Sequence, residues 1–328
     1  LDPSAINATV SAVGGTGGNG ASINSASGGY ATVNANITGA NAVDVTANAT
    51  GGAGGNTDIG TAANGQFLDS TVVLEGISGH STAGGPVTVS TTQTGGAGGN
   101  SGVGAAGHGG YVLLSNVVTG STSGALTLNQ TAIGGKGGDT SLGVPGFGND
   151  AESDIVQIDN TASSFTTNVA ATGGAGGNST GIGSGAGGGY ATVNNNIVGA
   201  NAATATANAT GGAGGNANDG NGGDGLTLDS TVVPATVSAI STGNGPAMAS
   251  LTQIGGAGGN ASLGNGGNGG GAFAINTVSG DTHGDLTLIQ SAIGGNGGNA
   301  GFGNGGDGGA AGSAINGFVA PNAHSLTV

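Results

Sequence analysis

The stretch GGYATVNANITGANAVDVTANATGGAGGN, Gly28 to Asn56, holds one complete repeat of the chain's pattern. In its first half Ala31, Val33, Ala35 and Ile37 alternate with Thr32, Asn34 and Asn36. After a turn around Thr38 to Asn41, Val43, Val45, Ala47 and Ala49 alternate with Asp44, Thr46, Asn48 and Thr50. A period of two puts the small apolar set on one face and the Thr/Asn set on the other, as half-buried strands require. A Gly run then closes the stretch. GGYATVNNNIVGANAATATANATGGAGGN, Gly188 to Asn216, repeats it at 24 of 29 positions in the second half of the chain. Gly28 thus corresponds to Gly188, and the same offset relates the rest of the two halves.

The repeat has a finer grain. The motif GG-x-GG-[ND] starts at Gly14, Gly51, Gly95, Gly134, Gly173, Gly211, Gly255 and Gly294. The intervals are all close to 40, and the longest, after Gly51 and after Gly211, falls in the same place in each half. Self-similarity at a fixed period of this size marks stacked units that bury their apolar faces only against their neighbours. The predicted fold is therefore all-β: a β-solenoid-like rod of about eight units of ~40 residues each, strand, turn, strand and Gly-rich segment. Residues 1–160 form a first four-unit block and 161–328 a second, in one continuous rod. Leu126, Leu128, Gln130 and Ala132 share one face of a strand, as do Leu286, Leu288, Gln290 and Ala292. No stretch has helical periodicity.

GGAGGNASLGNGGNGGGA, Gly255 to Ala272, places Gly at nearly every third position. That period suits packed, extended helices of the polyproline II or polyglycine II type, with three residues per turn. Fixed irregular turns, in which Gly supplies positive φ, are the other reading.

Composition removes whole classes of function. Of 328 residues, 81 are Gly; there is no Cys or Trp, and a single Lys or Arg, Lys136, faces 16 acids, for a net charge of −15. Nucleic-acid binding needs bases to neutralise phosphates, and a polybasic membrane contact needs them too. Membrane insertion through a helix needs about 20 consecutive apolar residues, and no run approaches that length.

The strands punctuated by NATGGAGGN, QTGGAGGN and SAIGGNGGN resemble those of bacterial glycine-rich β-strand-repeat proteins, which are secreted or surface-exposed fibres and adhesins. The likeness covers essentially the whole chain. It implies an extracellular or cell-surface location and a structural or adhesive role, such as in a biofilm matrix. It brings no site residues with it.

The tandem duplication acts as an internal control on chemistry. His80, His108 and His283 stand opposite Ile240, Asn268 and Ser123 in the other block, and His324 lies in the last unit. No His is kept in both copies, no Cys nucleophile exists, and no nucleophile-elbow context surrounds a Ser. The reading is of a protein that is not an enzyme. Calcium is the one cofactor the acids suggest, because Asp-Gly repeats in secreted proteins hold it between stacked turns. The candidate ligands are Asp219, Asp224 and Asp229 in NDGNGGDGLTLD, and Asp150, Glu152 and Asp154 in GFGNDAESD. Solvated loop acids that confer solubility are the alternative.

An active site occurs once, whereas a stretch repeated at fixed spacing makes length and surface. The expected function is a structural subunit of an extracellular filament or surface fibre. Its expected partner is itself, in a head-to-tail homopolymer. The N-terminal Ser4 to Val13 reads as the second strand of a unit, and Ser313 to Val328 as the start of another. Unpaired strand edges of this kind are templates for pairing. The alternative is a repetitive adhesin, or a module that binds carbohydrate, a cell surface or an ice lattice through its Thr/Asn arrays.

Overall fold

The computed structural model describes residues 5–22, 24–72 and 76–328; Ser4, the first residue of the expected N-terminal strand, lies outside them. Among the described residues there is no helix, and the paired strands run parallel. The chain is a β-solenoid. Its longest sheet takes one strand from each successive turn: Ile6–Val13, Val43–Thr50, Val87–Thr94, Ala125–Ile133, Ser164–Thr172, Ala202–Thr210, Ala247–Ile254, Asp285–Ile293 and Ser325–Thr327. Val43 pairs with Val87, Val87 with Leu126 and Leu126 with Phe165. Each of these four residues stands equally far ahead of its own Gly motif, at Gly51, Gly95, Gly134 and Gly173. The spacing of the repeat is therefore the register of the sheet.

The first strand of each unit builds the opposing wall. In some turns it runs straight, as Ala151–Asp159 and Ala191–Gly199. In others it breaks, at Asn116 and Asn276, both left-handed with φ of 51° and 53°, a conformation Asn tolerates better than most residues. Gln130 answers the break. Its Oε1 accepts the Val117 N–H at 3.0 Å, and its Nε2 donates to Leu114 O, Ser153 Oγ and Asp154 O. Gln290 repeats this at Thr277, Ala274, Ser313 and Ala314. A buried amide thus stands in for the ladder bonds that the kink forfeits.

Between the two walls lies a thin core. Val43, Val45, Ala47 and Ala49 enter it from one wall and Val33 and Ile77 from the other, and Phe165, Leu126 and Leu128 are among its bulkiest members. Corresponding positions of the two blocks share their burial: Val33 and Val193 are 2% and 0% exposed, and Leu68 and Leu228 both 2%. One local difference exists within the near-identical stretches. Ala191 to Asn194 belong to a longer strand, whereas Ala31 to Asn34 lie outside any strand. The preceding turn supplies Ala151 to Asp154 as partners for the later copy, and among the described residues the earlier copy has no equivalent strand beside it.

The Gly runs are ordered and packed. Gly14, Gly17 and Gly20 donate to the carbonyls of Thr50, Ala53 and Asn56 on the next turn, a bond at every third residue. On the next turn Gly51, Gly54 and Thr57 donate onward in the same way, and between them Gly52 and Gly55 donate to Gly29 and Ala26 of an antiparallel return run. Bonds to different neighbours at a period of three define polyglycine II-like helices packed side by side. Gly is obligatory in this packing, because a Cβ at Gly55 would sit 2.2 Å from the Gly18 oxygen. Only the x and Asn positions of the motif turn away from the stack.

Candidate functional site

The surface that the repeat exposes is a set of ladders. The motif Asn or Asp of each turn accepts the backbone N–H of the same position on the next turn. The ladder runs Asn19, Asn56, Asn100, Asp139, Asn178, Asn216, Asn260 and Asn299, at 2.7–2.9 Å per rung. The donor is a backbone N–H, so the accepting side-chain atom must be the carbonyl oxygen. The Nδ2 groups of the Asn rungs are thereby left facing outward. Lys136, beside this ladder, pairs with Asp139 at 3.0 Å.

Two further ladders run along the return run. In one, Asn64 Oδ1 accepts from His108 N, His108 Nδ1 from Phe147 N, Asp224 Oδ1 from Asn268 N and Asn268 Oδ1 from Asp307 N. In the other, Ser184, Asn221, Asn265 and Asn304 are linked in the same way. The Asn that closes each Gly motif was visible in sequence. That its side chain bonds the next turn was not, because that depends on which turns stack.

The proposed calcium ligands are spread over these elements. Asp219 is exposed on an outer bend, where it accepts from Asn218 Nδ2. Asp224 is a rung of the return ladder. Asp229 ends a short strand and accepts from the N–H and hydroxyl of Thr231 at 2.9 and 2.7 Å; these bonds hold its carboxyl below the usual range. Asp69, its counterpart in the first block, makes the same turn with Thr71. This is an Asx turn, in which the side chain replaces a backbone acceptor.

Asp150 accepts the N–H of Tyr190, and Glu152 and Asp154 follow it on the outer face of the strand Ala151–Asp159. Burial, and then the charge of Asp154, pushes Glu152 up to about 7; burial also raises Asp154, against a hydrogen bond from Asn194. The Asp154 charge, two residues along the same face, thus disfavours the ionised form of Glu152. Among the described residues no group of three or more His, Asp or Glu side chains converges as metal ligands.

Two surface features escaped sequence reasoning. Phe67 stacks on Tyr111 at 4.9 Å with an interplanar angle of 3°, and meets Tyr30 edge-on at 5.1 Å. His108 stacks on Phe147 at 5.6 Å and 17°. The available signal was recurrence: Tyr30, Phe67 and Tyr111 each fall where a return run enters the first strand of a unit. The second feature is a row of exposed aliphatic side chains in register, Ile59, Val103, Leu142 and Ile182, at the turn tips.

No described helix is long and apolar enough to cross a membrane. Comparison with protein-family models, with curated proteins and with solved structures finds no match.

Proposed function

We propose that the chain is a structural subunit of an extracellular or cell-surface filament or matrix fibre, built by head-to-tail stacking of its solenoid. The observation that supports this is the complementarity of the two end turns. At one end the strand Ile6–Val13 pairs only with Val43–Thr50, and the carbonyls of Thr16 and Asn19 receive no bond among the described residues. At the other end the amides of Gly294, Gly297 and Ala300 donate to no further turn among the described residues. Free acceptors at one end and free donors at the other, in matching phase, are what every internal junction joins. An added turn satisfies them, whether another copy or more of the same chain supplies it. Eight turns at the ~4.8 Å spacing of neighbouring strands make a stack about 40 Å tall, and each added turn extends it by the same step.

A heterologous contact that does not close produces an open filament. Negative-stain electron microscopy of purified residues 1–328 is expected to show filaments of constant width that lengthen with protein concentration. A monodisperse 29.5 kDa monomer at all concentrations overturns the proposal.

A further inference from the structure

A groove of about 590 Å³ runs along the solenoid axis between the two return-run ladders, from Phe147 at the end of the first block into the second. We propose that it binds a neutral glycan, with one pyranose ring stacked on Phe147. This is independent of whether the solenoid polymerises.

Phe147 stands at one end of the groove and is 52% exposed. His108 covers one face of its ring. The next turn places Gly187 opposite the other face, where a side chain would otherwise lie; even a Cβ there would be 3.7 Å from the ring. The following residue in that column is Asp224, two turns away from Phe147, a distance of about 9.5 Å. The gap is thus a slot, closed by an aromatic face on one side and a carboxylate on the other, with room for one saturated ring. The axial C–H bonds of a pyranose carry the partial positive charge that the negative face of an aromatic ring attracts.

The walls complement hydroxyl groups. Asn221, Asn265 and Asn268 each spend Oδ1 on the backbone N–H of the next turn. Their Nδ2 groups are therefore donors with no partner among the described residues, and all three residues are exposed. Asp224 spends Oδ1 on Asn268 and keeps Oδ2 as an acceptor. A hydroxyl both gives and takes a hydrogen bond, so a mixed row of amide donors and carboxylate acceptors suits a sugar. The floor is bare Gly backbone at Gly222, Gly223 and Gly266, so nothing fills the channel. No basic residue lines it, and Asp224 repels anions, so the ligand is neutral. The concave cross-section fits a chain and disfavours a flat ice plane.

The test is calorimetric titration of the full chain with cellohexaose, mannohexaose, laminarihexaose and chitohexaose, with hexagalacturonate as an anionic control. At least one neutral oligosaccharide is expected to bind with a submillimolar Kd, and hexagalacturonate is not. Gly187→Leu fills the slot from a position with space for the side chain, and Phe147→Ala removes the platform. Each is expected to weaken binding at least tenfold while leaving the circular dichroism spectrum unchanged. The proposal is overturned if no neutral oligosaccharide binds, if binding persists in both variants, or if hexagalacturonate binds as tightly as the neutral sugars. Ice-growth inhibition that survives both variants, without sugar binding, also overturns it.

Discussion

In the first block the return runs carry Thr61, Ala105, His108, Val144 and Phe147; the corresponding places in the second hold Asn221, Asn265, Asn268, Asn304 and Asp307. The aromatic column Tyr30, Phe67 and Tyr111 likewise becomes Tyr190, Thr227 and Gly271. The backbone beneath hardly changes: Gly65 bonds His108 at 2.8 Å, and Gly225 bonds Asn268 at 2.8 Å. Even the ladder logic survives the exchange, since His108 accepts a backbone N–H through Nδ1 where Asn268 uses Oδ1. The difference separates two kinds of constraint. Gly-run positions that face the stack are held by backbone contact and tolerate only Gly. Positions that face water are free to diverge, and there the two blocks have acquired an aromatic surface and an amide surface.

If that separation is right, substitutions in the stack must cost the same in both blocks. A Cβ at Gly99 would lie 1.9 Å from the Gly55 oxygen, and at the equivalent Gly259 it would lie 2.0 Å from the Gly215 oxygen. Backbone cannot move aside locally without breaking bonds on both neighbouring turns. Gly99→Ala and Gly259→Ala are each expected to destabilise by at least about 3 kcal/mol in urea unfolding. Gly187→Ala, whose Cβ meets only ordinary van der Waals contacts, is expected to cost less than about 1 kcal/mol. A large gap between Gly99→Ala and Gly259→Ala would show that the stacks of the two blocks are not under the same backbone constraint.

The same separation explains what the sequence could tell. The strands, their inward faces and their register were legible because each is repeated: Val33 and Val193, or Leu126 and Leu286, point inward in both copies. The Gly runs were legible as packed polyglycine II-like helices from their period of three, but their bonding partners were not, because those of Gly52 lie in a return run that has no periodic signature of its own. Gln130 was placed on the inner face by alternation, yet its role at the Asn116 kink depends on a φ that sequence does not display. The acids were the least legible. Spacing suggested a ligand set around Asp150; that Asp150 accepts the Tyr190 N–H, and that Glu152 and Asp154 are partly buried side by side, depends on which turns stack.

That pair has no counterpart in the second block, which carries Gly312 and Ala314 in its place. Burial and the Asp154 charge raise Glu152 from 4.5 to about 7. The folded state then holds more protons than the unfolded chain between these values, so stability falls as pH rises from about 4.5 to 7. The site is partly solvated, and after allowance for screening the loss is about 1–2 kcal/mol. Glu152→Gln is expected to flatten that part of the profile, measured as urea midpoint against pH. An unchanged slope would mean that Glu152 titrates as an ordinary surface acid.

The smallest expected effect concerns the aromatic column. Phe67 contacts Tyr30 edge-on and Tyr111 face-to-face, and Tyr111 also donates to Asp69 Oδ2 at 3.1 Å. Such ring pairs contribute roughly 0.5–1.5 kcal/mol beyond their buried area, and less where solvent reaches them. Phe67→Leu keeps most of the apolar area and loses the ring geometry, so it should cost about 1 kcal/mol and reduce the near-ultraviolet circular dichroism of the tyrosines. The reverse exchange in the second block does not restore the column. Thr227→Phe would put a ring beside Tyr190, but it removes the hydroxyl that accepts the Gly271 N–H at 3.0 Å, and Gly271 offers no ring to stack on. One aromatic pair gained against one backbone bond lost leaves a net change near zero, within about 0.5 kcal/mol. A gain as large as the loss in Phe67→Leu would show that the two surfaces are interchangeable, and that the blocks diverged without local constraint.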